Sequence, residues 1–205
     1  MAIFNNTPQA TKNLIIINIL VFVATMINQE LIVEKFALFY PLSHFFRPWQ
    51  PISYMFVHGG FWHIFFNMYS LWLFGSVVEN TIGEKKYLFL YFICGLGAAG
   101  LHLLVQHLMG GSNVPCVGAS GAIYGLMMAF AMLYPEQRLM LLFPPVSLSA
   151  KWMVVIFAAI ELLTGYMSAG GSFSDGVAHF AHLGGMLISF LLIHFWRKSG
   201  KLWSR

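Results

Sequence analysis

Long stretches without a charged residue constrain this chain more than any other feature. Residues 13–29, 48–78 and 87–135 contain no Asp, Glu, Lys or Arg, and the last stretch runs for 49 positions. A helix crosses a bilayer with about 20 apolar residues, so that stretch has room for two. Only 9% of the chain is charged, whereas a soluble domain carries about 25% charged residues. The sequence excludes a soluble enzyme and predicts an all-α polytopic membrane protein.

Six membrane-spanning helices are predicted, in a single domain that covers residues 1–205. The longest uncharged stretch is divided at the Gly110-Gly111 pair, where a loop is expected. The predicted spans are residues 13–29, 61–80, 87–108, 119–135, 152–167 and 177–196. The connection over residues 31–56 is rich in aromatic residues and contains three prolines. It is too broken to span and too apolar for water, so we predict an interfacial first loop.

The basic residues give the predicted orientation of this bundle. Six spans place both termini on one side, and nine of the 11 Lys and Arg residues fall in segments on that side. Cytoplasmic segments carry such an excess, so we predict cytoplasmic termini. No soluble appendage is apparent, so we expect a prokaryotic-type plasma membrane, with the site opening to its outer face. The net charge of +4 then reflects orientation in the lipid bilayer, and we expect no nucleic-acid partner.

Three of the predicted spans carry polar residues at one depth. His63 and Ser120 each lie 16 residues before the next charged residue, and His182 lies 15 residues before one. At 1.5 Å per residue, these side chains lie about 22–24 Å into a hydrocarbon layer about 30 Å thick. Polar groups inside a membrane usually mark a function. We therefore predict one functional site, below the surface opposite the termini.

Small residues predict how the fourth and sixth spans meet. The fourth carries a Gly-x-x-x-Gly pair beginning at Gly121, and the sixth carries a Gly-x-x-x-Ser pair beginning at Gly185. Such surfaces let helix backbones pack closely, which would bring Ser120 within reach of His182. A serine becomes an effective nucleophile when an adjacent base takes its proton. Ser120 and His182 are therefore the candidate nucleophile and base of a hydrolase.

The second span supplies candidate groups for stabilising an oxyanion. His63 and Asn67 are four residues apart, so they share a helix face. A tetrahedral intermediate needs hydrogen-bond donors that are already in place. We expect these two side chains and the backbone N–H of Ser120 to donate to it. Tyr124 shares a helix face with Ser120 by the same spacing.

These motifs, taken together, resemble those of the rhomboid family of intramembrane serine proteases, of bacterial type with a six-span core. The resemblance covers nearly the whole chain, from about Trp49 through the sixth span. The motifs that carry it are His58-x4-His63-x3-Asn67, Gly118-Ala-Ser120-Gly121 with Tyr124, and Ala181-His182-x2-Gly185. They occur in the family's order and on the expected helices.

The resemblance implies a Ser–His dyad without an acidic third member. Ser120 would be the nucleophile and His182, stacked against Tyr124, the general base. His63, Asn67 and the Ser120 amide would form the oxyanion hole. The glycines implied to support the site are Gly118, Gly121 and Gly185. The implied substrates are transmembrane helices of other membrane proteins, and neither a cofactor nor a metal is implied.

The resemblance also assigns two segments and shows two departures, one of which is a Gly185-x3-Ser189 pair where many members have Gly-x3-Gly. Residues 168–176 would form a mobile cap, and the fifth helix would be part of a lateral gate. Many family members carry a Trp-Arg pair in the first loop, whereas here Trp49 is followed by Gln50. We therefore expect different hydrogen bonds in that loop.

Other functions stay open at this point. A membrane metalloenzyme would use His58, His63, His179 and His182 as ligands, although no His-Glu-x-x-His pattern accompanies them. A non-catalytic binder of membrane helices is a further alternative. The acid inside the fifth span, Glu161, is expected to pair with a polar group or stay protonated. The sequence gives it no role.

Overall fold

The computed structural model describes residues 7–110, 114–140, 145–169 and 178–202. Its helices are α1 (Gln9–Ile27), α2 (Gln29–Phe36), α3 (Gln50–Ser53), α4 (Phe61–Ile82), α5 (Glu84–Leu108), α6 (Ser120–Leu133), α7 (Ala150–Ala169) and α8 (His179–Lys198). A short 3-10 turn, Tyr54–Phe56, follows α3, and α4 contains a π-helical turn at Leu71–Gly75. Two strands, β1 (Arg138–Met140) and β2 (Ser147–Ser149), lie between α6 and α7.

The predicted class, an all-α polytopic membrane bundle, is confirmed. Five of the described helices, α1, α4, α5, α7 and α8, are long and apolar enough to cross a membrane. The remaining apolar helix, α6, corresponds to the predicted fourth span and has 14 residues. At 1.5 Å per residue it is about 21 Å long, roughly 9 Å less than the hydrocarbon layer. Its first residue therefore lies below one surface when its last residue lies at the other.

Helix α6 occupies the centre of the bundle. Nine of its 14 residues are buried, and they lie on all sides of the helix, which is typical of a helix enclosed by neighbours. By contrast, α7 exposes large apolar side chains such as Leu162, Leu163 and Tyr166. Lipid is the natural environment for such a surface. The bundle thus encloses the beginning of α6, where Ser120 lies.

Close backbone contact at two glycines sets the position of α6 against α8. A Cβ atom added to Gly185 would lie 1.8 Å from the carbonyl oxygen of Gly121. A Cβ atom added to Gly121 would lie 2.5 Å from Cβ of Ala98 on α5. Neither position leaves room for a side chain. The three central helices α5, α6 and α8 therefore meet at the level of the candidate site.

A buried carboxylate ties α1 to α4. Both oxygens of Glu79 accept hydrogen bonds from the beginning of α1, from Ala10 N at 2.9 Å and Thr11 N at 2.7 Å. The first N–H groups of a helix have no partner within the helix, and a negative charge there is favourable. Glu79 is therefore a structural acid, far along α4 from His63.

The first loop is held together by Gln50, the residue at which the sequence departs from the family pattern. Its side chain is fully buried. Its Oε1 accepts from Phe39 N at 3.3 Å, and its Nε2 donates to the carbonyl oxygens of Phe45 at 2.9 Å and Glu34 at 3.4 Å. The neighbouring indole of Trp49 donates to Lys35 O at 2.8 Å. One amide thus connects three parts of the loop, a role that the sequence analysis did not identify.

Several local features differ from the prediction or lie outside the described residues. The segment after α6 forms a small antiparallel hairpin, in which Leu139 pairs with Leu148, whereas the sequence analysis predicted no strand. Helix α2 begins at Gln29, two residues before the predicted first loop. The side chain of Asn28 caps it by accepting a hydrogen bond from Leu31 N at 3.0 Å. The predicted cap, residues 168–176, lies largely outside the described residues, as does residue 177 at the start of the predicted sixth span.

Candidate active site

The chain enters α6 through Gly118, a position that only glycine can occupy. Gly118 has φ 119°, in the region that favours glycine. A Cβ atom at Gly118 would lie 2.6 Å from Nε2 of His63 and 3.7 Å from Oγ of Ser120. Its N–H donates to Tyr54 O at 2.9 Å. This turn therefore brings the imidazole of His63 close to Ser120, the first residue of α6.

Ser120 and His182 are in hydrogen-bond contact across the interface of α6 and α8. Oγ of Ser120 lies 2.8 Å from Nε2 of His182. The imidazole is 7% exposed and stacks on the ring of Tyr124, with centroids 4.2 Å apart and planes 4° apart. Ser120 is half-buried. The spacing is that of a serine whose proton an imidazole can take, and stacking on Tyr124 holds the imidazole in this orientation.

The oxyanion candidates lie beside this pair, on α4. Nδ1 of His63 accepts from Gly59 N at 3.4 Å, which leaves the ring proton on Nε2, next to Gly118. Nδ2 of Asn67 donates to the carbonyl oxygen of His63 at 2.7 Å and retains a second N–H. As the first residue of α6, Ser120 has an N–H group without a partner in its own helix. His63 thus reaches the beginning of α6, and Asn67 lies one turn further along α4.

His58 supports this arrangement from outside the span. Its ring lies edge-on to that of His63, with centroids 5.0 Å apart, and its Nδ1 lies 3.3 Å from the carbonyl oxygen of Phe56. Burial, together with the neighbouring His63, lowers the pKa of His58 to about 3. The ring is therefore neutral at physiological pH, and it fills space beside His63 without adding a second positive charge.

Glu161 of α7 contacts the site, and the sequence analysis missed this. Its Oε1 accepts from the hydroxyl of Tyr124 at 2.5 Å and lies 3.0 Å from Nδ1 of His182. Its Oε2 lies 2.7 Å from Nδ1 of His179. The available signals were an acid inside a span and two histidines three residues apart. Which way α7 turns that acid depends on tertiary packing, which no local pattern encodes.

The contact between Glu161 and His182 has the distance of an ion pair without the alignment of a hydrogen bond. Within the described part of the chain, Nδ1 of His182 has no aligned hydrogen-bond acceptor. An oxygen that accepts from the Tyr124 hydroxyl lies near the plane of the phenol ring, and the imidazole is stacked above that plane. The carboxylate therefore acts on His182 through its charge more than through a directed bond.

His179 extends the cluster towards a small cavity. Its Nδ1 also lies 3.1 Å from the hydroxyl of Thr164. A cavity of about 140 Å³ borders it, and among the other residues that line it are His102, Gln106 and Ser168. A space of this size holds a few water molecules. Polar groups thus continue from Ser120 through His182 and Glu161 to this cavity.

The histidines were also candidates for a metal site, and the structure divides them into two pairs. His58 lies with His63, while His179 and His182 lie with Glu161, and the ligand atoms of these last three are within 4.8 Å of one another. The two N···O distances to Glu161 are 2.7 and 3.0 Å. Ligands of a tetrahedral zinc ion lie about 3.3 Å apart, given bonds of about 2.0 Å. These spacings fit polar contacts better than shared coordination.

Comparisons with known proteins were consistent with this geometry. The family model described as the Rhomboid domain matches residues 46–199. "Rhomboid protein 1, mitochondrial" of Saccharomyces cerevisiae is 30% identical over 141 residues, which are 68% of this chain and 39% of that protein. "Presenilin-associated rhomboid-like protein, mitochondrial" of Mus musculus is 33% identical over 140 residues, 68% of this chain and 36% of that protein. "RHOMBOID-like protein 4" of Arabidopsis thaliana is 31% identical over 144 residues, 70% and 33% of the respective chains.

The matched region covers no more than 39% of the length of these relatives, and their names correct one prediction. The yeast and mouse proteins are named as mitochondrial, so the predicted plasma-membrane location is wrong. The cytoplasmic assignment of the termini depended on that location and is wrong for the same reason. The bias in basic residues reports which loops share a side of a membrane. It does not identify the membrane. The bacterial subtype stays a prediction.

Proposed function

Because this chain belongs to the rhomboid family, we propose that it is a serine endopeptidase that cleaves transmembrane helices within the membrane. Membership of the family supports an intramembrane protease-like function. The observation that carries the finer proposal is the 2.8 Å contact between Oγ of Ser120 and Nε2 of His182. A mitochondrial membrane is the location that the names of the yeast and mouse relatives favour.

The proposed reaction begins with proton transfer within this pair. Nε2 of His182 takes the proton of Ser120 as Oγ bonds to the carbonyl carbon of the substrate. The carbonyl oxygen becomes an oxyanion. His182 then gives the proton to the leaving amine, the C–N bond breaks, and an acyl-enzyme remains on Ser120. Water attacks the ester, His182 takes a proton from that water, and Ser120 recovers the proton as the acid product leaves.

Three N–H donors are proposed to stabilise the oxyanion. They are Nε2 of His63, the free N–H of Asn67, and the backbone N–H of Ser120 at the positive end of the α6 dipole. The imidazole proton of His63 is directed towards the site because Gly59 N donates to the other ring nitrogen. Donors that are in place before the reaction need no reorganisation when the charge appears.

The position of the site decides what kind of substrate it accepts. A transmembrane helix satisfies its own backbone groups, so its carbonyl carbon is accessible only where the helix is locally unwound. Small and helix-weakening residues permit that unwinding. We therefore propose substrates whose spans contain such residues at the depth of Ser120.

Labelling with a fluorophosphonate tests this proposal. Oγ of Ser120 would form a bond to phosphorus, fluoride would leave, and His182 would take the proton. We expect one adduct per chain, on Ser120, and its loss in Ser120→Ala together with all cleavage of a transmembrane substrate. Ser189→Ala is the matched control, because Ser189 is a fully buried serine of the same bundle. The Ser189→Ala protein should still be labelled on Ser120.

A chelator separates this function from the metal-dependent alternative. Labelling and cleavage should both persist in the presence of a strong chelator. Cleavage by a folded Ser120→Ala protein, or loss of wild-type cleavage on chelation that added metal restores, would reject the serine mechanism. A binder of membrane helices would take up no fluorophosphonate at all.

A further inference from the structure

We propose that Glu161 is a positioning residue for His182, the negative charge that stabilises the imidazolium formed when Ser120 gives up its proton. This inference rests on the proposed function, since it concerns the base of that reaction. It replaces the dyad without an acid, which the motifs implied, by an arrangement in which a third helix supplies the acid.

The position of the carboxylate supports this role. Glu161 lies on α7, yet it contacts Tyr124 on α6 and both His179 and His182 on α8, at 2.5, 2.7 and 3.0 Å. It thus reaches His182 on the nitrogen opposite to the one that faces Ser120. A charge at this position acts on the imidazole without occupying the space in which the substrate and the nucleophile meet.

The surroundings of the buried carboxylate also support this role. Glu161 is 6% exposed, and a buried charge is costly unless paired and hydrogen-bonded. Here the Tyr124 hydroxyl donates to one oxygen, Nδ1 of His179 lies at hydrogen-bond distance from the other, and Nδ1 of His182 is 3.0 Å away. An ionised carboxylate only accepts hydrogen bonds, so donors on both oxygens match that form. The surroundings therefore favour a negative charge beside His182.

The charge that develops during the reaction needs a nearby charge of opposite sign. Each proton transfer from Ser120 makes His182 positive, and in a weakly polar interior an uncompensated positive charge is expensive. A carboxylate 3.0 Å from Nδ1 compensates it. Because this contact lacks the alignment of a hydrogen bond, the orientation of the ring is set by the stack on Tyr124. Glu161 then contributes mainly charge.

Other titratable groups also face this pair. In the described residues they are His179 on α8, Tyr124 on α6 and His63 on α4, the last of which interacts electrostatically with His182. None of these carries a negative charge at neutral pH. Glu161 is the one acid of the described α7 helix, so removing it removes the counter-charge.

A purely structural role for Glu161 makes a different prediction. As a latch between α7 and its neighbours, the side chain would affect stability, and the pH dependence of Ser120 reactivity would not change. As a counter-charge, it favours protonated His182. Without Glu161, His182 would stay unprotonated down to a lower pH. Forming the imidazolium during the reaction would then cost more free energy.

The test measures the rate of fluorophosphonate labelling of Ser120 against pH, in the full chain purified in detergent. In Glu161→Gln we expect a rate about 10- to 100-fold lower at neutral pH, and an acidic limb of the profile displaced by about 1–2 pH units to lower pH. Glu161→Asp keeps the negative charge but places it further from His182. Its labelling rate and the position of its acidic limb should lie between those of the wild type and Glu161→Gln. Glu79→Gln is the matched control, because it removes a buried carboxylate that binds only backbone N–H groups; it should lower thermal stability and leave the limb in place.

The possible outcomes are distinguishable. Wild-type rate and an unmoved limb in folded Glu161→Gln would overturn the inference. So would a lower rate with an unmoved limb, which is the result for a latch. If Glu161→Gln does not fold, Glu161→Asp decides, and a wild-type rate and limb in that variant reject the proposal. Absence of labelling in the wild-type protein would instead reject the proposed function, with no bearing on which acid faces His182.

Discussion

At the residue scale, the site depends on side chains whose partners come from distant parts of the chain. Ser120 and His182 are 62 positions apart, and their common depth, the small-residue pairs and the motifs indicated that they belong together. Glu161 could not be placed in the same way, because its partners are set by how α7 is rotated about its axis. Gln50 is similar, since its three backbone partners lie 5 to 16 positions away, in α2 and in the irregular segment that follows it. Sequence reasoning reached the residues that motifs mark and missed those defined only by packing.

The proposed oxyanion donors give a prediction at this scale. His63→Ala removes the Nε2–H group beside Gly118 and should lower kcat by about 10²- to 10³-fold, the usual effect of losing one such donor. KM should change little, because the donor acts on charge that exists only in the transition state. Steady-state kinetics on a transmembrane substrate would measure both constants. An unchanged kcat in a protein with the wild-type melting temperature would exclude His63 from the oxyanion hole.

At the element scale, the position of the central helix α6 is set by glycines, which have no side chain, rather than by large side chains. Its beginning lies against α8 at Gly121 and Gly185, and against α5 at Ala98. The Gly-x-x-x-small pattern predicted a close contact between these helices, and it is specific because few residues permit such an approach. The hairpin after α6 had no comparable signal. Its strands have three residues each, and alternation of apolar and polar residues is not visible over so short a length.

This packing predicts a large effect from one methyl group. Gly185→Ala would place Cβ 1.8 Å from the carbonyl oxygen of Gly121, so the helices must separate. We expect a loss of about 1–3 kcal/mol in the free energy of unfolding, as for other overpacked cores, together with slower labelling of Ser120. Gly100→Ala is the matched control on α5, because nothing lies within 4 Å of its added Cβ atom. That variant should be at least as stable as the wild-type protein, since alanine favours a helix. Thermal unfolding in one detergent compares the two, and equal melting temperatures would contradict the packing argument.

At the scale of the whole molecule, the bundle combines long lipid-facing helices with one short enclosed helix. The uncharged stretches predicted the class of fold because the membrane imposes a minimum length on every span. The same reasoning could not identify the membrane, since loop charges report only relative sides. The length of α6 is the property that matters for the proposed function, because it places the proposed hydrolytic site inside the hydrocarbon layer.

The depth of Ser120 predicts where a substrate is cut. Helix α6 has 14 residues and ends three positions before Glu136, so its last residue is placed at the boundary of the hydrocarbon on that side. Ser120 then lies about 9 Å below the opposite surface, or about six residues along a substrate helix. A series of substrates in which one Ala-Gly segment is moved along an otherwise uniform transmembrane helix would test this. Cleavage, mapped by mass spectrometry, should be strongest with the segment about six residues from that end and weak at the bilayer centre. Equal cleavage at every position would mean that the depth of Ser120 does not select the bond, and strongest cleavage at the centre would place the site deeper than the length of α6 allows.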